Sequence, residues 1–105
     1  MTTFDNREQG FEKKFAMEEE TEFKATARRN RLLGEWAAGL MGLETVAEYA
    51  RVIVKSEVDN PGDEDVLRKV FGDLKGAGVG VSEGDVRMKM DELQAVAREQ
   101  IKGGK

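Results

Sequence analysis

Apolar residues recur every three to four positions over most of this chain, and the recurrence is interrupted at Gly42, at DNPG (59–62) and at GAGVGVSEGD (76–85). Spacing of that kind places apolar side chains on one face of a helix, whereas a half-buried strand alternates with a period of two. The chain therefore reads as a series of amphipathic helices separated by glycine and proline.

The first stripe runs through Phe23, Ala27, Leu33, Ala37 and Leu40, widened by Leu32, Trp36, Met41 and Leu43. Asn30 falls on the same face and is expected to be a buried polar group bonded to the backbone or to a neighbouring helix. Trp36 is read as core. The acidic run Glu18–Glu20 precedes this helix, where negative charge suits the N-terminal end of the dipole, and Gly42 stops it. Val46, Ala47, Ala50, Ile53, Val54 and Val58 form the second stripe. Pro61 disfavours helix at Asn60, which can then cap a third helix with Pro61 as its first residue. Asp63, Glu64 and Asp65 load its first turn, and Val66, Leu67, Val70, Phe71 and Leu74 form its apolar face. Gly76 or Gly78 can take the left-handed conformation that ends it. Ser82 with Asp85 reads as a capping box for a fourth helix, which buries Val86, Met90, Leu93, Ala97 and Ile101. The sum is an all-α four-helix bundle over residues 21–102, with residues 103–105 fraying.

Several chemistries are excluded by composition. With no cysteine and no histidine, the chain lacks disulfides, thiolate metal sites and the usual general base near neutral pH. An enzyme is not expected, and no metal is required. No apolar run reaches the roughly 18 residues of a membrane span, and the acidic N-terminus is no secretory signal, so a cytoplasmic protein without membrane insertion is expected. Charge is segregated: residues 1–22 carry seven acids against three bases, and residues 23–55 carry six bases against three acids.

Residues 4–15, FDNREQGFEKKF, are polar apart from Phe4, Phe11 and Phe15. On a helix turning about 100° per residue, Phe11 lies about 20° from Phe4, and Phe15 about 40° from Phe11. Aromatics at i, i+7 and i+11 suit a helix seated in a groove; packing on the bundle is the other reading. Gly10 weakens such a helix by about 1 kcal/mol relative to alanine. Residues 1–20 are thus expected to be flexible alone and helical on a partner.

FDNREQGFEKKFAMEEETEFKATARRNRLLGEWAAG, PGDEDVLRKV and AGVGVSEGDVRMKMDEL together resemble the zeta subunit of alphaproteobacterial F-type ATP synthases, over essentially the whole chain. The resemblance implies a four-helix protein that inhibits ATP hydrolysis by the catalytic head, whose partners are the alpha, beta and gamma subunits at the cytoplasmic face of the inner membrane. It implies that the N-terminal segment enters a catalytic interface and becomes helical there. Phe4, Asp5, Arg7, Glu8, Phe11, Glu12, Lys14 and Phe15 are the residues it places in the inhibitory contact. It also implies ADP or ATP as a regulatory ligand. The family's REKAFE is REQGFE here, with Gln9 and Gly10, and Met17 stands where a histidine is expected. Both departures point to inhibition weaker or less pH-dependent than in relatives.

Lys24, Arg28 and Arg31 are expected along one exposed flank with Arg29 a step round, and these four are the candidate nucleotide contacts, because guanidinium forks suit phosphate oxygens. The competing reading is a solvated face with Glu35 near Arg28 and Arg31. Nucleic acid is not an expected partner, since no aromatics are interleaved for stacking. Gly76, Gly78 and Gly80 miss the spacing of a dinucleotide fingerprint and follow a helix, not a strand. A calcium loop starting at Asp59 would need glycine sixth and glutamate twelfth, where Glu64 and Val70 stand. The alternative to an inhibitor is a nucleotide-sensing bundle that no longer inhibits, in which substituting Arg28 and Arg29 should abolish the response to ligand.

Overall fold

The structure, a computed structural model, describes residues 2–59 and 62–103, with side chains described from Glu20 onward. It contains helices α1 (Thr2–Met41), α2 (Val46–Asp59), α3 (Asp63–Gly76) and α4 (Glu83–Lys102). The all-α four-helix bundle read from the sequence is the observed fold. α1 packs against α2 and α4, and α3 lies against all three. Gly104 and Lys105, at the end expected to fray, lie outside the described residues.

Glycine sets two of the helix ends. Gly42 (φ 70°) follows α1; its N–H donates to the Gly39 carbonyl at 3.2 Å, and the Leu43 N–H to Ala38 at 3.0 Å. Gly78 (φ 79°) repeats the pattern after α3, donating to Lys75 at 3.0 Å while Val79 donates to Leu74 at 3.0 Å. This pairing of a 5→2 and a 6→1 bond satisfies carbonyls that the helix leaves open. Val79 packs on the core that contains Leu74, which secures the turn. The capping box opening α4 is present in both directions, at 3.0 Å each way between Ser82 and Asp85.

Two helix starts differ from expectation. α1 begins at Thr2, so the run Glu18–Glu20 lies within it and does not precede it. α3 begins at Asp63 with Gly62 (φ 137°) as N-cap and no side-chain cap of its own; the expected cap at Asn60 and start at Pro61 lie outside the described residues. Glu57, in the last turn of α2, accepts the Gly62 N–H at 2.6 Å.

The core consists of Leu33, Ala37, Ile53, Val66, Leu67, Val70, Leu74, Val86 and Met90, with Trp36, Phe71 and Leu93 partly buried against it. The expected α3 face is the buried one, and α4 buries Val86, Met90 and Ala97. Of the expected α1 face, Leu33 and Ala37 are buried and Trp36 and Met41 pack on the core, but its outer members Phe23 and Leu40 are 74% and 44% exposed. Ala25 and Ala38 are buried as well. On α2, Ala50 and Ile53 are buried, whereas Ala47 and Val58 are exposed. Small residues occupy the buried line because the helices approach closely. A Cβ on Gly34 would stand 2.6 Å from the Ala50 Cα.

Candidate functional site

The expected inhibitory residues Phe4, Asp5, Arg7, Glu8, Phe11, Glu12, Lys14 and Phe15 belong to the backbone of α1; their side chains, and that of Met17, lie outside the described residues. The helix passes without a break through residue 21, where the bundle is expected to start. α2 and α4 both end beside the middle of α1. Glu57 of α2 accepts from Asn30 at 3.5 Å. Near the end of α4, Gln100 accepts from Arg28 at 3.4 Å, and Arg98 donates through both Nε and Nη2 to Glu22, the second bond at 3.0 Å. The Arg98 guanidinium holds the Glu22 carboxyl below its ordinary range. The stretch of α1 before Glu22 therefore extends past the ends of both companion helices.

The junction of α1, α2 and α3 is organised by Arg29. It is 3% exposed, so it does not stand a step round an exposed flank, as the sequence spacing suggested. Its Nε and Nη2 donate to Asn30 Oδ1 at 3.0 and 2.7 Å, and Nη2 reaches Asp63 at 3.0 Å and Glu57 at 3.4 Å. Asn30 is fully buried and bonded as expected, to its neighbour Arg29 and across to α2. Arg29 lowers the Asp63 carboxyl pKa, outweighing partial desolvation. The signal for this network was the adjacent pair Arg29–Asn30 beside an apolar stripe, but its acceptors lie 28 and 34 residues away.

Replacing Arg29 with methionine is expected to lower stability by about 2–4 kcal/mol, because it leaves Asn30 Oδ1 without its donor and the largely buried Glu57 carboxylate without its counter-charge, although Gly62 and Asn30 still donate to Glu57. Asp63 is mostly exposed and adds little. Denaturant unfolding monitored at Trp36 measures the loss. An acid scan tests the same contact. Folding depresses the Asp63 pKa, so its contribution is complete above the unfolded range near pH 4 and is lost as pH falls through the lower folded value. The variant should lose that part of the acid sensitivity.

The other three cations diverge. Lys24 pairs with Glu20 at 3.3 Å, Arg31 with Glu35 at 3.5 Å, and Arg28 turns toward α4. The structure thus does not gather Lys24, Arg28, Arg29 and Arg31 into one site, and of Arg28 and Arg31 only Arg31 reaches Glu35. Arg31 instead shares a groove of about 650 Å³ with Arg51 and Lys55 of α2, over Ala47, Val54 and Val58. A second groove, of about 450 Å³, lies on the other side of the Val54–Val58 ridge and includes Phe23. Trp36 is half-buried, with the Lys89 ammonium 5.7 Å from its ring centroid. Among the described residues, no helix is long and apolar enough to cross a membrane.

Comparison with solved structures finds a protein determined by solution NMR, 42% identical, with a TM-score of 0.68; the match covers 80% of this chain and 98% of that one. No curated protein matches. The family described as ATPase inhibitor subunit zeta matches residues 1–100. That match spans the unbroken α1 and all three helices packed on it, and the chain belongs to this family of inhibitor subunits, which regulate an ATPase and are not themselves catalysts.

Proposed function

We propose that this chain restrains ATP hydrolysis by the F-type ATP synthase, with residues 1–20 acting as a helical wedge at a catalytic interface of the head. The observation that carries this reading is α1 itself, one helix from Thr2 to Met41 whose companions end beside its middle. At 1.5 Å per residue, the stretch before Glu22 offers about 30 Å of helix. Phe4, Phe11 and Phe15 bury in an apolar groove between catalytic subunits, and Asp5, Arg7, Glu8, Glu12 and Lys14 fix its register. The seated helix blocks the conformational cycle that hydrolysis requires. Ordering the segment costs a few kcal/mol of the gross interaction energy, which keeps inhibition reversible. The working location is the cytoplasmic face of the inner membrane.

A regulatory adenine nucleotide is the second part of the proposal. The groove that joins Arg31 to Arg51 and Lys55 supports it better than the divergent set Lys24, Arg28, Arg29 and Arg31, because it gathers three cations over an apolar floor against two acids, Glu35, which pairs with Arg31, and Asp59.

The test is ATP hydrolysis by an alphaproteobacterial ATP synthase head with the full chain and with a chain lacking residues 1–19. The described core begins at Ala25, so the shortened chain should keep its helical far-UV spectrum. Inhibition by the full chain alone is the expected result; equal inhibition by both would refute the wedge. The same assay with and without ADP reads the nucleotide part.

A further inference from the structure

We infer that the groove between α1 and the last turns of α2 is a second docking surface, shaped for an amphipathic helix of the inhibited ATPase whose apolar anchor is flanked by lysine or arginine. This rests on the inhibitory reading above and adds a partner contact within the bundle.

Phe23 is 74% exposed and Val58 68%. Single exposed apolar side chains are ordinary, but an apolar patch with a polar rim marks an interaction site. These two residues are not scattered. With Ala27 and Val54 they line one groove of about 450 Å³. Its described lining contains three acids, Glu22, Glu57 and Asp63, and no base. Arg98 offsets Glu22, but Arg29 is one cation shared between Glu57 and Asp63, so that pair keeps a net negative charge. An apolar floor with an acidic lip selects an apolar anchor carrying positive flanks.

The groove is also continuous with the proposed inhibitory helix. Phe23 lies eight residues beyond Phe15 on the same α1, about 12 Å along its axis. Once the wedge is seated, the groove is held against the same partner, and the second contact forms at high effective concentration.

The experiment measures binding of the full chain to the intact ATP synthase head for wild type, a Phe23→Ser, Val58→Ser double variant, Val58→Ser alone, and a Phe4, Phe11, Phe15 triple-alanine variant. The double variant should melt as wild type does, because both side chains are mostly exposed. It should bind about tenfold or more weakly, with Val58→Ser intermediate and not itself destabilised. Wild-type affinity should fall with added salt. Wild-type binding by the double variant would overturn the groove while leaving the wedge intact, provided the triple variant fails to bind. No binding by wild type would overturn both readings. A wild-type dimer that the double variant converts to monomer, seen by light scattering, would assign the groove to a second copy and overturn the proposed occupant.

Discussion

Alanine at Phe4, Phe11 and Phe15 together should raise the concentration needed for half-inhibition of ATP hydrolysis by about a thousandfold or more, with no change in the thermal melt. Burying one phenylalanine is worth about 1.5–3 kcal/mol, so three lost anchors remove about 4.5 kcal/mol or more. Each 1.4 kcal/mol is a factor of ten. The melt should hold because the described core begins at Ala25. Single substitutions should lose about tenfold each, and their sum need not equal the triple effect, since neighbouring anchors in one groove are coupled. A triple variant that inhibits as well as wild type would remove the aromatic face from the mechanism and leave the flanking charges to explain inhibition. Gly10→Ala gives the reciprocal check: it should strengthen inhibition by up to fivefold, because it relieves up to about 1 kcal/mol of helix penalty in the segment.

Valine at Gly34 should lower folding stability by about 3 kcal/mol or more, a fall in Tm of roughly 12 °C or more. A side chain there meets the α2 backbone: a Cβ would sit 2.6 Å from Ala50 Cα and 3.3 Å from both Ala50 N and Cβ. A flexible neighbour could turn aside, but a helix backbone cannot, so α1 and α2 must part. That separation would also open the Arg29–Asn30–Glu57 junction, which lies further along the same pair of helices. Gly39 is the control. It lies in the same helix, and a Cβ added there would meet nothing within 4 Å. Gly39→Ala should therefore stabilise by about 0.4–1 kcal/mol through backbone entropy alone. Equal effects at the two glycines would refute the close approach.

The contrast between these glycines explains what the sequence could and could not reveal. α3 and α4 were legible because large residues mark their buried faces and their ends carry turn chemistry that acts locally, at Gly78 and at Ser82 with Asp85. In α1 the buried line is Leu33 with the small residues Ala25, Gly34, Ala37 and Ala38, and a reading that gives weight to large apolar residues finds Leu33 but follows Phe23 and Leu40 to the exposed side. Helix–helix proximity selects small residues, and nothing within α1 announces which helix will come close. Arg29 was misplaced for a related reason. An arginine is expected in solvent unless its acceptors are known, and Glu57 and Asp63 become its acceptors only after α2 and α3 are in place. On the proposed site, the spacing of Phe4, Phe11 and Phe15 is a local property and could be read directly. The Phe23–Val58 groove is a property of the assembled helices, and neither residue alone points to it.

With residues 2–20 seated as a helix continuous with the rest of α1, the inhibitory face and the groove are held at a fixed angle, Phe23 standing about 80° round the axis from Phe15. Each residue inserted between Phe15 and Phe23 would turn one against the other by about 100° and move them about 1.5 Å apart. One inserted residue would turn Phe23 to the side of the helix opposite Phe15, whereas seven would restore their present angle to within about 20° while lengthening the helix by about 10 Å. The spacing between wedge and bundle is therefore tuned in helical turns, and the bundle works as an indexed handle that sets the angle at which the wedge is offered.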